Sequence, residues 1–300
     1  MKKESVLVTG GTSNDVPAIA SLLINLKQTN IDLVQDIIIF HDGIKRSEQR
    51  LMKKIFPVEF RKYQYPSRNK QFDSVVTNYF HTMVFCKFEC FKLLNEYKSV
   101  LWTDYDVVIL KNLSKLLQNP PEFGFRMIPD KELNIKDMFL PNIATVNMDN
   151  YDLAQRAFCT PLFILFDNMY DYNKYYQYCL DKTDQYAPYL YLPEQCAINL
   201  LIQDFHITID PLDYYIYCSH PKKDQMNEQT AILHAYGQPK FWNGLQNEIW
   251  NKNYEIWTEM GGRKYIYSNL ILDTIKSMYN KVKSIIKNRI LKKLNAGIKT

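Results

Sequence analysis

The sequence predicts an α/β fold, in which helices cover a β-sheet. Through the first two thirds of the chain, short apolar runs bounded by turn residues alternate with segments of helical periodicity. Of the 300 residues, 46% are hydrophobic and 14% are aromatic, which is enough for one large globular domain and argues against disorder. We find no internal repeat or low-complexity linker, and no domain boundary before about residue 265.

The first elements are predicted in the order strand, helix, strand, helix, strand. Residues 5–9 are the first strand, and the glycine pair after them leads to a helix with Pro17 in its first turn. The apolar positions of that helix are Ile19, Leu22, Leu23 and Leu26. The following elements are a strand at 37–40, a helix at 47–55 and a strand at 58–63.

The middle of the chain continues this alternation. A helical apolar pattern covers residues 79–97, and residues 100–102 then form a strand that runs toward Asp104. Later elements are a strand at 162–166, a helix at 193–202 and a short strand at 231–234.

The cysteines and the amino end indicate the compartment. The six cysteines form no CxxC pair, so we interpret them as buried thiols in a reducing environment. Met1-Lys2-Lys3 has the charge of a signal peptide, but the apolar run after it stops at Thr9-Gly10-Gly11. No stretch of about 18 apolar residues is present either, so we expect a cytoplasmic protein without a membrane span.

The C-terminal segment, residues 265–300, is predicted to be a basic amphipathic helix separate from a catalytic domain at 1–264. After Asp273 the chain has eight Lys or Arg residues and no Asp or Glu. Apolar residues recur there at helical spacing, which suits a helix lying on the anionic inner face of a membrane. The alternative is a terminal helix that packs on its own domain. No nucleic-acid-binding motif accompanies the charge, so we expect no nucleic acid partner.

The sharpest local motif is an Asp-x-Asp at Asp104 and Asp106, between the apolar runs 100–102 and 107–109. Two carboxylates at the end of a buried strand can converge on a hard divalent cation such as Mn²⁺ or Mg²⁺, which prefers oxygen ligands. Such pairs also cap turns and helices, so the motif alone leaves both interpretations open.

A second motif follows the predicted strand at 231–234. The segment from His234 to Trp242 contains a metal-ligating residue type, a flexible glycine at Gly237 and a cation at Lys240. Each has a use around a nucleotide diphosphate, because the ammonium group offsets the charge of a departing phosphate. A lone histidine at a strand end is often purely structural, and that alternative also stays open.

Together these motifs resemble glycosyltransferase family 8, which includes glycogenin-like and lipopolysaccharide galactosyl- and glucosyltransferases. The resemblance covers residues 4–245. It implies a retaining enzyme with the GT-A nucleotide-sugar-binding fold, a mixed, mostly parallel sheet flanked by helices. In that family the two aspartates of the Asp-x-Asp and a later histidine bind Mn²⁺, and Asp104, Asp106 and His234 fall at those positions.

The resemblance also implies roles for residues outside the metal motif. Lys87 matches a basic residue that touches a diphosphate or sugar hydroxyl, with a surface lysine as the alternative. Gln195 matches a glutamine beside the anomeric carbon, and Glu194 an acid that contacts a hydroxyl, with helix capping as the alternative for both. Thr9 matches a residue that holds uridine. Asp104, Gly237 and Lys240 are likewise expected to contact the nucleotide sugar.

The chain departs from the family pattern at two places. In the second motif, Phe241 stands where the family has a proline before the tryptophan, and Pro239 lies two positions earlier. The larger departure is Cys159-Thr160-Pro161, which takes the place of an Asn-Ala-Gly that lines the donor sugar in the family. The resemblance therefore does not name the hexose.

The function that the resemblance implies is transfer of glucose or galactose from a UDP-sugar to a glycan or lipid-linked acceptor. The tyrosine-rich segments 170–178 and 186–191 are either sugar-stacking surfaces for that acceptor or part of the core. Two alternatives stay open, a catalytically silent nucleotide-sugar-binding protein on the same fold and a nucleotidyltransferase.

Overall fold

The computed structural model describes residues 1–66, 71–74 and 76–265. The strands in these ranges are β1 (Lys3–Gly11), β2 (Asp36–His41), β3 (Val58–Lys62), β4 (Tyr97–Thr103), β5 (Val107–Ile109), β6 (Phe125–Asn134), β7 (Arg156–Phe166), β8 (Asp210–Pro211) and β9 (Ile232–His234). The α-helices are α1 (Val16–Thr29), α2 (Arg46–Ile55), α3 (Glu89–Leu93), α4 (Tyr172–Tyr186), α5 (Pro193–Asp204), α6 (Tyr214–Tyr217) and α7 (Glu248–Glu259). The predicted tail helix lies outside the described residues, apart from residue 265.

The main sheet has seven strands in the order β3-β2-β1-β4-β7-β6-β8. Strands β3, β2, β1 and β4 pair in parallel, β6 pairs in parallel with β8, and β7 is antiparallel to both of its neighbours. The expected mixed, mostly parallel sheet is therefore confirmed. Strands β5 and β9 form a separate antiparallel pair.

Helices cover both faces of the sheet, because the strands are apolar on both faces. In β1, Val6 and Val8 belong to one core cluster and Leu7 to the other. The first cluster includes side chains of α3, α4 and α5, and the second includes side chains of α1, α2 and α7. This three-layer arrangement is typical of parallel sheets, which are buried on both sides.

The segment predicted as one helix at 79–97 is divided in the structure. It consists of a π-helical turn at Val76–Phe80, a 3-10 helix at Thr82–Phe88 and α3, and Tyr97 already belongs to β4. The break lies at His81, whose φ of 60° is incompatible with a continuous right-handed helix. The ring nitrogen Nδ1 of His81 accepts the backbone N–H of Met83 at 3.2 Å and so caps the second piece.

Several elements had no sequence prediction. Strand β6 contains Pro129 and has register irregularities against β7, which obscure its pattern. Helix α4 is rich in tyrosine, and within it Tyr175 and Tyr186 are buried in the core, so these two support the core interpretation. Tyr170 and Tyr191, by contrast, are 78% and 46% exposed.

Two further expectations concern the cysteines and the membrane. All six cysteines are free and buried, as predicted. Among the described residues, no helix is long and apolar enough to cross a bilayer.

Candidate active site

The Asp-x-Asp motif lies where the chain leaves the central strand β4 and enters β5. The backbone N–H of Asp104 donates to the carbonyl of Pro161 at 2.8 Å, so the neighbouring strand β7 fixes its position. The indole Nε1–H of Trp102 donates to Asp104 Oδ1 at 2.9 Å. Because parallel β1 and β4 both end here, the motif occupies the edge of the sheet where α/β proteins bind ligands.

The antiparallel pair β5–β9 brings His234 to this motif. Val107 pairs with His234, and the backbone N–H of Ala235 donates to the carbonyl of Asp106 at 2.9 Å. As a result, His234 Nε2 lies 3.3 Å from Asp106 Oδ1 and 4.0 Å from Asp104 Oδ2. The structure thus assembles the three predicted ligands from distant positions in the chain.

This cluster fits a divalent cation. One ligand atom each from Asp104, Asp106 and His234 lies within 4.8 Å of the others. Asp106 and His234 are buried, whereas Asp104 is half-buried, which leaves one side of the cluster open. Two carboxylate oxygens with one imidazole nitrogen suit Mn²⁺ or Mg²⁺ better than a thiophilic metal.

Lys240 also reaches the cluster and makes an ion pair with Asp106 Oδ2. Burial alone would raise the pKa of the Asp106 carboxyl, but the charges of Lys240 and His234 outweigh it and hold that pKa below its ordinary value. Asp106 is therefore anionic at neutral pH. Gly237, in the same loop as Lys240, has a φ of +72°, a conformation that favours glycine.

A second polar cluster surrounds Lys87, which is buried and not a surface lysine. Its Nζ lies 2.8 Å from Glu194 Oε1 and 3.0 Å from Asp104 Oδ1, and it donates to Thr160 Oγ1 at 3.1 Å. Burial alone would lower the pKa of Lys87, but Asp104 and Glu194 raise it above its ordinary value. Asp104 thus belongs to both clusters and joins them into one site.

Glu194 and Gln195 do not cap helix α5, although both lie in its first turn. Both side chains turn instead to Thr160. Thr160 Oγ1 donates to Glu194 Oε1 at 2.9 Å, and the backbone N–H of Thr160 donates to Gln195 Oε1 at 3.0 Å. The other carboxylate oxygen, Glu194 Oε2, is buried and has no hydrogen-bond partner within the described part of the chain.

Sequence reasoning identified Thr160 only as part of a departure from the family pattern. The structure shows that it contacts Lys87, Glu194 and Gln195, so it is central to the second cluster. Its local sequence gives no signal, because the contacts join β7 to α5 and to the 3-10 helix before α3.

The predicted nucleotide contact Thr9 lies near the end of β1. It is fully buried, and its Oγ1 has no hydrogen-bond partner among residues 1–66, 71–74 and 76–265. Gly10 and Gly11 follow it, and a Cβ at Gly10 would lie 2.5 Å from the thiol of Cys86. The backbone of β1 therefore packs too closely against Cys86 for a side chain at this position.

Aromatic side chains border the site. Tyr79 is 55% exposed, and it lies close enough to Lys240, Asp106 and Tyr191 for their charges to affect the pKa of its hydroxyl group. The rings of Tyr105 and Trp242 lie 6.0 Å apart on the loops that carry the two motifs. The sequence did not single out Tyr79, since it was expected to belong to an ordinary helix.

Comparison with solved structures finds similar folds. The WbbM bifunctional glycosyltransferase matches with a TM-score of 0.63 at 11% identity, over 89% of this chain and 52% of that chain. An active-site mutant of LgtC matches with a TM-score of 0.62 at 11% identity, over 85% of this chain and 95% of that chain. LgtC in complex with donor and acceptor sugar analogues matches with a TM-score of 0.58 at 12% identity, over 85% of this chain and 94% of that chain. GlyE of Streptococcus pneumoniae matches with a TM-score of 0.56 at 15% identity, over 86% of this chain and 63% of that chain.

These structures share the GT-A fold with this chain, which spans about half the length of WbbM and nearly all of LgtC. The search of curated proteins finds no match. The sequence itself matches the family model "Glycosyl transferase family 8" over residues 14–246, which include both motifs and both polar clusters. The chain therefore belongs to glycosyltransferase family 8.

Proposed function

We propose that this protein is a metal-dependent retaining glycosyltransferase that moves a glucose or galactose residue from a UDP-sugar to a glycan or lipid-linked acceptor. The convergence of Asp104, Asp106 and His234 carries this proposal. Membership of the family supports glycosyl transfer, and an LgtC structure of similar fold contains donor and acceptor sugar analogues.

Asp104, Asp106 and His234 would hold Mn²⁺ or Mg²⁺. When bound, such a cation supplies Lewis acidity to a departing diphosphate. Asp106 is suited to this role because it is anionic and because the register of β5 and β9 fixes it against His234. Thr9, near the end of β1, is the residue matched to a uridine contact, but its side chain is fully buried, so a uridine would meet the chain there through the backbone.

Lys240 and Gly237 would receive the diphosphate of the donor. The ammonium group of Lys240 pairs with Asp106, and a diphosphate would offer it a further anionic partner. The left-handed conformation of Gly237 allows the loop backbone to approach phosphate oxygens closely. Lys87 would act mainly by positioning, since Asp104, Glu194 and Thr160 already occupy its ammonium group.

Glu194 and Gln195 would face the sugar. The unpartnered Oε2 of Glu194 is a buried acceptor that a sugar hydroxyl would satisfy, which removes the cost of an orphaned polar atom. Gln195 is held by the backbone of Thr160, so its amide would stabilise the anomeric centre as a contact and not as a nucleophile. The leaving phosphate would then take the acceptor proton in a front-face attack.

The acceptor would lie over the aromatic border of the site. Tyr79 and Tyr191 are exposed side chains that can stack on a sugar ring. We further propose a catalytic domain at residues 1–264 and a basic tail at 265–300 that binds anionic lipid. This tail would place a cytoplasmic enzyme on the inner face of a membrane, next to a lipid-linked acceptor.

The test is release of UDP from UDP-glucose and UDP-galactose, with and without Mn²⁺, by the intact protein and by Asp106→Ala. The proposal expects release that needs the metal, favours one of the two donors and disappears in the variant. Circular dichroism on both proteins verifies that the variant is folded. If the folded wild-type protein binds Mn²⁺ and UDP but releases nothing from either donor, it is a silent binding protein and the proposed activity is wrong.

A further inference from the structure

A turn at residues 219–224 begins directly beside the metal-ligand candidate His234. The carbonyl of Ser219 accepts the backbone N–H of His234 at 2.9 Å. Ser219 also forms an isolated parallel bridge with Leu233 of β9. The turn is therefore attached to the strand that carries His234, although neither sequence motif includes it.

Buried polar contacts hold the backbone of this turn in place. His220 is buried, and its Nδ1 accepts the backbone N–H groups of Lys222 and Lys223 at 3.1 and 3.2 Å. The buried Asp224 carboxylate accepts the backbone N–H of His220 at 2.7 Å and pairs with the Lys131 ammonium group at 2.5 Å. Because Lys131 belongs to β6, the turn is fixed against β6 as well as β9.

The turn places the ammonium group of Lys223 over the second sequence motif. Lys223 Nζ lies 4.2 Å from the centroid of the Tyr236 ring, a distance at which the ring attracts a cation. It also lies 3.4 Å from the position that a Cβ at Gly237 would occupy. The ring of Tyr236 in turn lies 5.6 Å from the ring of His234. Lys223 therefore adds a cation to the loop that follows His234.

The ammonium group of Lys223 makes no ion pair or hydrogen bond with the residues that the structure describes. The adjacent acid, Asp224, is paired with Lys131. The other lysine of this loop, Lys240, is paired with Asp106. Burial and the charges of two neighbouring lysines outweigh that of Asp224 and lower the pKa of Lys223 below its ordinary value, so a bound anion would relieve this repulsion.

We propose that Lys223 is an anion-binding residue, whose ammonium group holds a phosphate or carboxylate group of a substrate above Gly237. This inference rests on the proposed function, which brings both substrates to this loop. The ammonium group has three N–H donors, and the left-handed backbone of Gly237 has no side chain to keep an anion away.

Two substrates could supply this anion. The donor diphosphate gains a negative charge when its bond to the sugar breaks, so a second cation beside Lys240 would stabilise the leaving group. An acceptor with a phosphate or carboxylate group is the other source, and an open pocket beside Lys223 has room for it. Both acids that line this pocket, Glu132 and Asp224, pair with Lys131. Lys223 is thus the cation that remains for an anion in the pocket.

The first experiment measures the dissociation constants of UDP and of uridine from the full chain, both with Mn²⁺, by isothermal titration calorimetry. If the donor diphosphate is the ligand, Lys223→Met should weaken UDP binding about 10-fold and leave uridine binding unchanged, because uridine has no phosphate. Lys222→Met is the matched control, since Lys222 is an exposed lysine of the same turn. This control and Lys223→Arg, which keeps the charge, should both bind UDP like the wild-type protein.

The second experiment titrates inorganic phosphate into the same proteins after saturation with UDP and Mn²⁺, and follows binding by NMR. If an anionic acceptor is the ligand, Lys223→Met should weaken phosphate binding about 10-fold, whereas UDP affinity and the Lys222→Met control stay unchanged. Thermal unfolding verifies that each variant is folded.

The inference is overturned if Lys223→Met lowers neither the UDP nor the phosphate affinity by more than Lys222→Met does. A wild-type protein that binds no UDP in the presence of Mn²⁺ would instead count against the proposed function. The phosphate titration, made without UDP, would then decide the role of Lys223 by the same comparison.

Discussion

Lys87 Nζ lies 2.8 Å from Glu194 Oε1, although the two residues are 107 positions apart and each side chain is only 5% exposed. This buried ion pair joins the 3-10 helix before α3 to the first turn of α5. Asp104 Oδ1 lies 3.0 Å from the same ammonium group, so Lys87 links these two helices to the Asp-x-Asp motif.

Replacing only one partner of this ion pair should destabilise the protein strongly. Lys87→Met leaves the Glu194 and Asp104 carboxylates buried without their cation, and we expect a loss of about 3 kcal/mol in the free energy of unfolding. The double variant Lys87→Met/Glu194→Gln should lose less than the sum of the single variants. Urea unfolding of all four proteins gives the coupling energy.

An exposed ion pair provides the control for this cycle. Lys174 and Asp171 lie 3.0 Å apart with side chains 68% and 57% exposed, so Lys174→Met should change stability by less than about 1 kcal/mol. Additive effects of Lys87→Met and Glu194→Gln would contradict a coupled buried pair.

The hydroxyl of Thr160 should matter more than its methyl group. Thr160→Val removes a donor to Glu194 and an acceptor for Lys87, so we expect a loss of about 1–2 kcal/mol in the free energy of unfolding. Thr160→Ser keeps the hydroxyl and should be the milder change. Chemical denaturation of both variants compares them, and a Thr160→Val protein as stable as Thr160→Ser would show that these hydrogen bonds contribute little.

The close approach at Gly10 gives a prediction about packing. A Cβ there would lie 2.5 Å from Cys86 Sγ, so Gly10→Ala should destabilise the protein by about 1–3 kcal/mol. Cys86→Ala removes that sulfur atom, and the added methyl group should then cost less, because its remaining close neighbours, Cβ and the carbonyl oxygen of Phe40, lie at 3.2 Å. Thermal unfolding of the two single variants and the double variant tests this. The prediction fails if the cost of Gly10→Ala is the same in both backgrounds.

Buried His220 should make stability depend on pH in the acidic range. Burial, with the nearby charges of Lys223 and His234, lowers the pKa of His220 to about 4, below its ordinary value of 6.5. Between these values the unfolded chain binds a proton that the folded protein does not. The free energy of unfolding therefore falls as the pH is lowered from about 6.5 to 4, by about 2 kcal/mol from this residue.

His220→Asn is the matched variant for this effect. His220 Nδ1 accepts the backbone N–H groups of Lys222 and Lys223 at 3.1 and 3.2 Å, and an asparagine carbonyl can accept in the same place. Urea unfolding at several pH values should give a shallower acidic slope for the variant. Identical slopes in the two proteins would rule out His220 as the source.

Sequence reasoning predicted the elements whose signals are local. The apolar runs of β1, β2 and β4 are bounded by turn residues, so their positions and the exit of the chain at Asp104 could be predicted directly. Local sequence patterns alone did not predict the metal cluster, because only the family resemblance linked His234 to an Asp-x-Asp far upstream. The register of Val107 with His234 supplies the physical reason for that link.

Other features depend on tertiary contacts and carry little local signal. The helical pattern through residues 79–97 gave no indication of the break at His81, an exposed residue with a φ of 60°. The same pattern left open whether Lys87 is exposed, and its burial depends on Glu194 and Asp104 from other elements. The contact between Cys218 Sγ and His234 Nδ1 at 3.4 Å likewise has no sequence motif.

The most direct test of the central claim is the rate of UDP release from the preferred donor as Mn²⁺ is titrated into chelator-treated protein. We predict no release without metal, a rate that saturates with Mn²⁺, and at least about a 100-fold lower rate in a folded Asp106→Asn variant at the same Mn²⁺ concentration. A rate that is unchanged by removal of the metal, or by Asp106→Asn, would contradict the assignment of Asp104, Asp106 and His234 as the metal site of a glycosyltransferase.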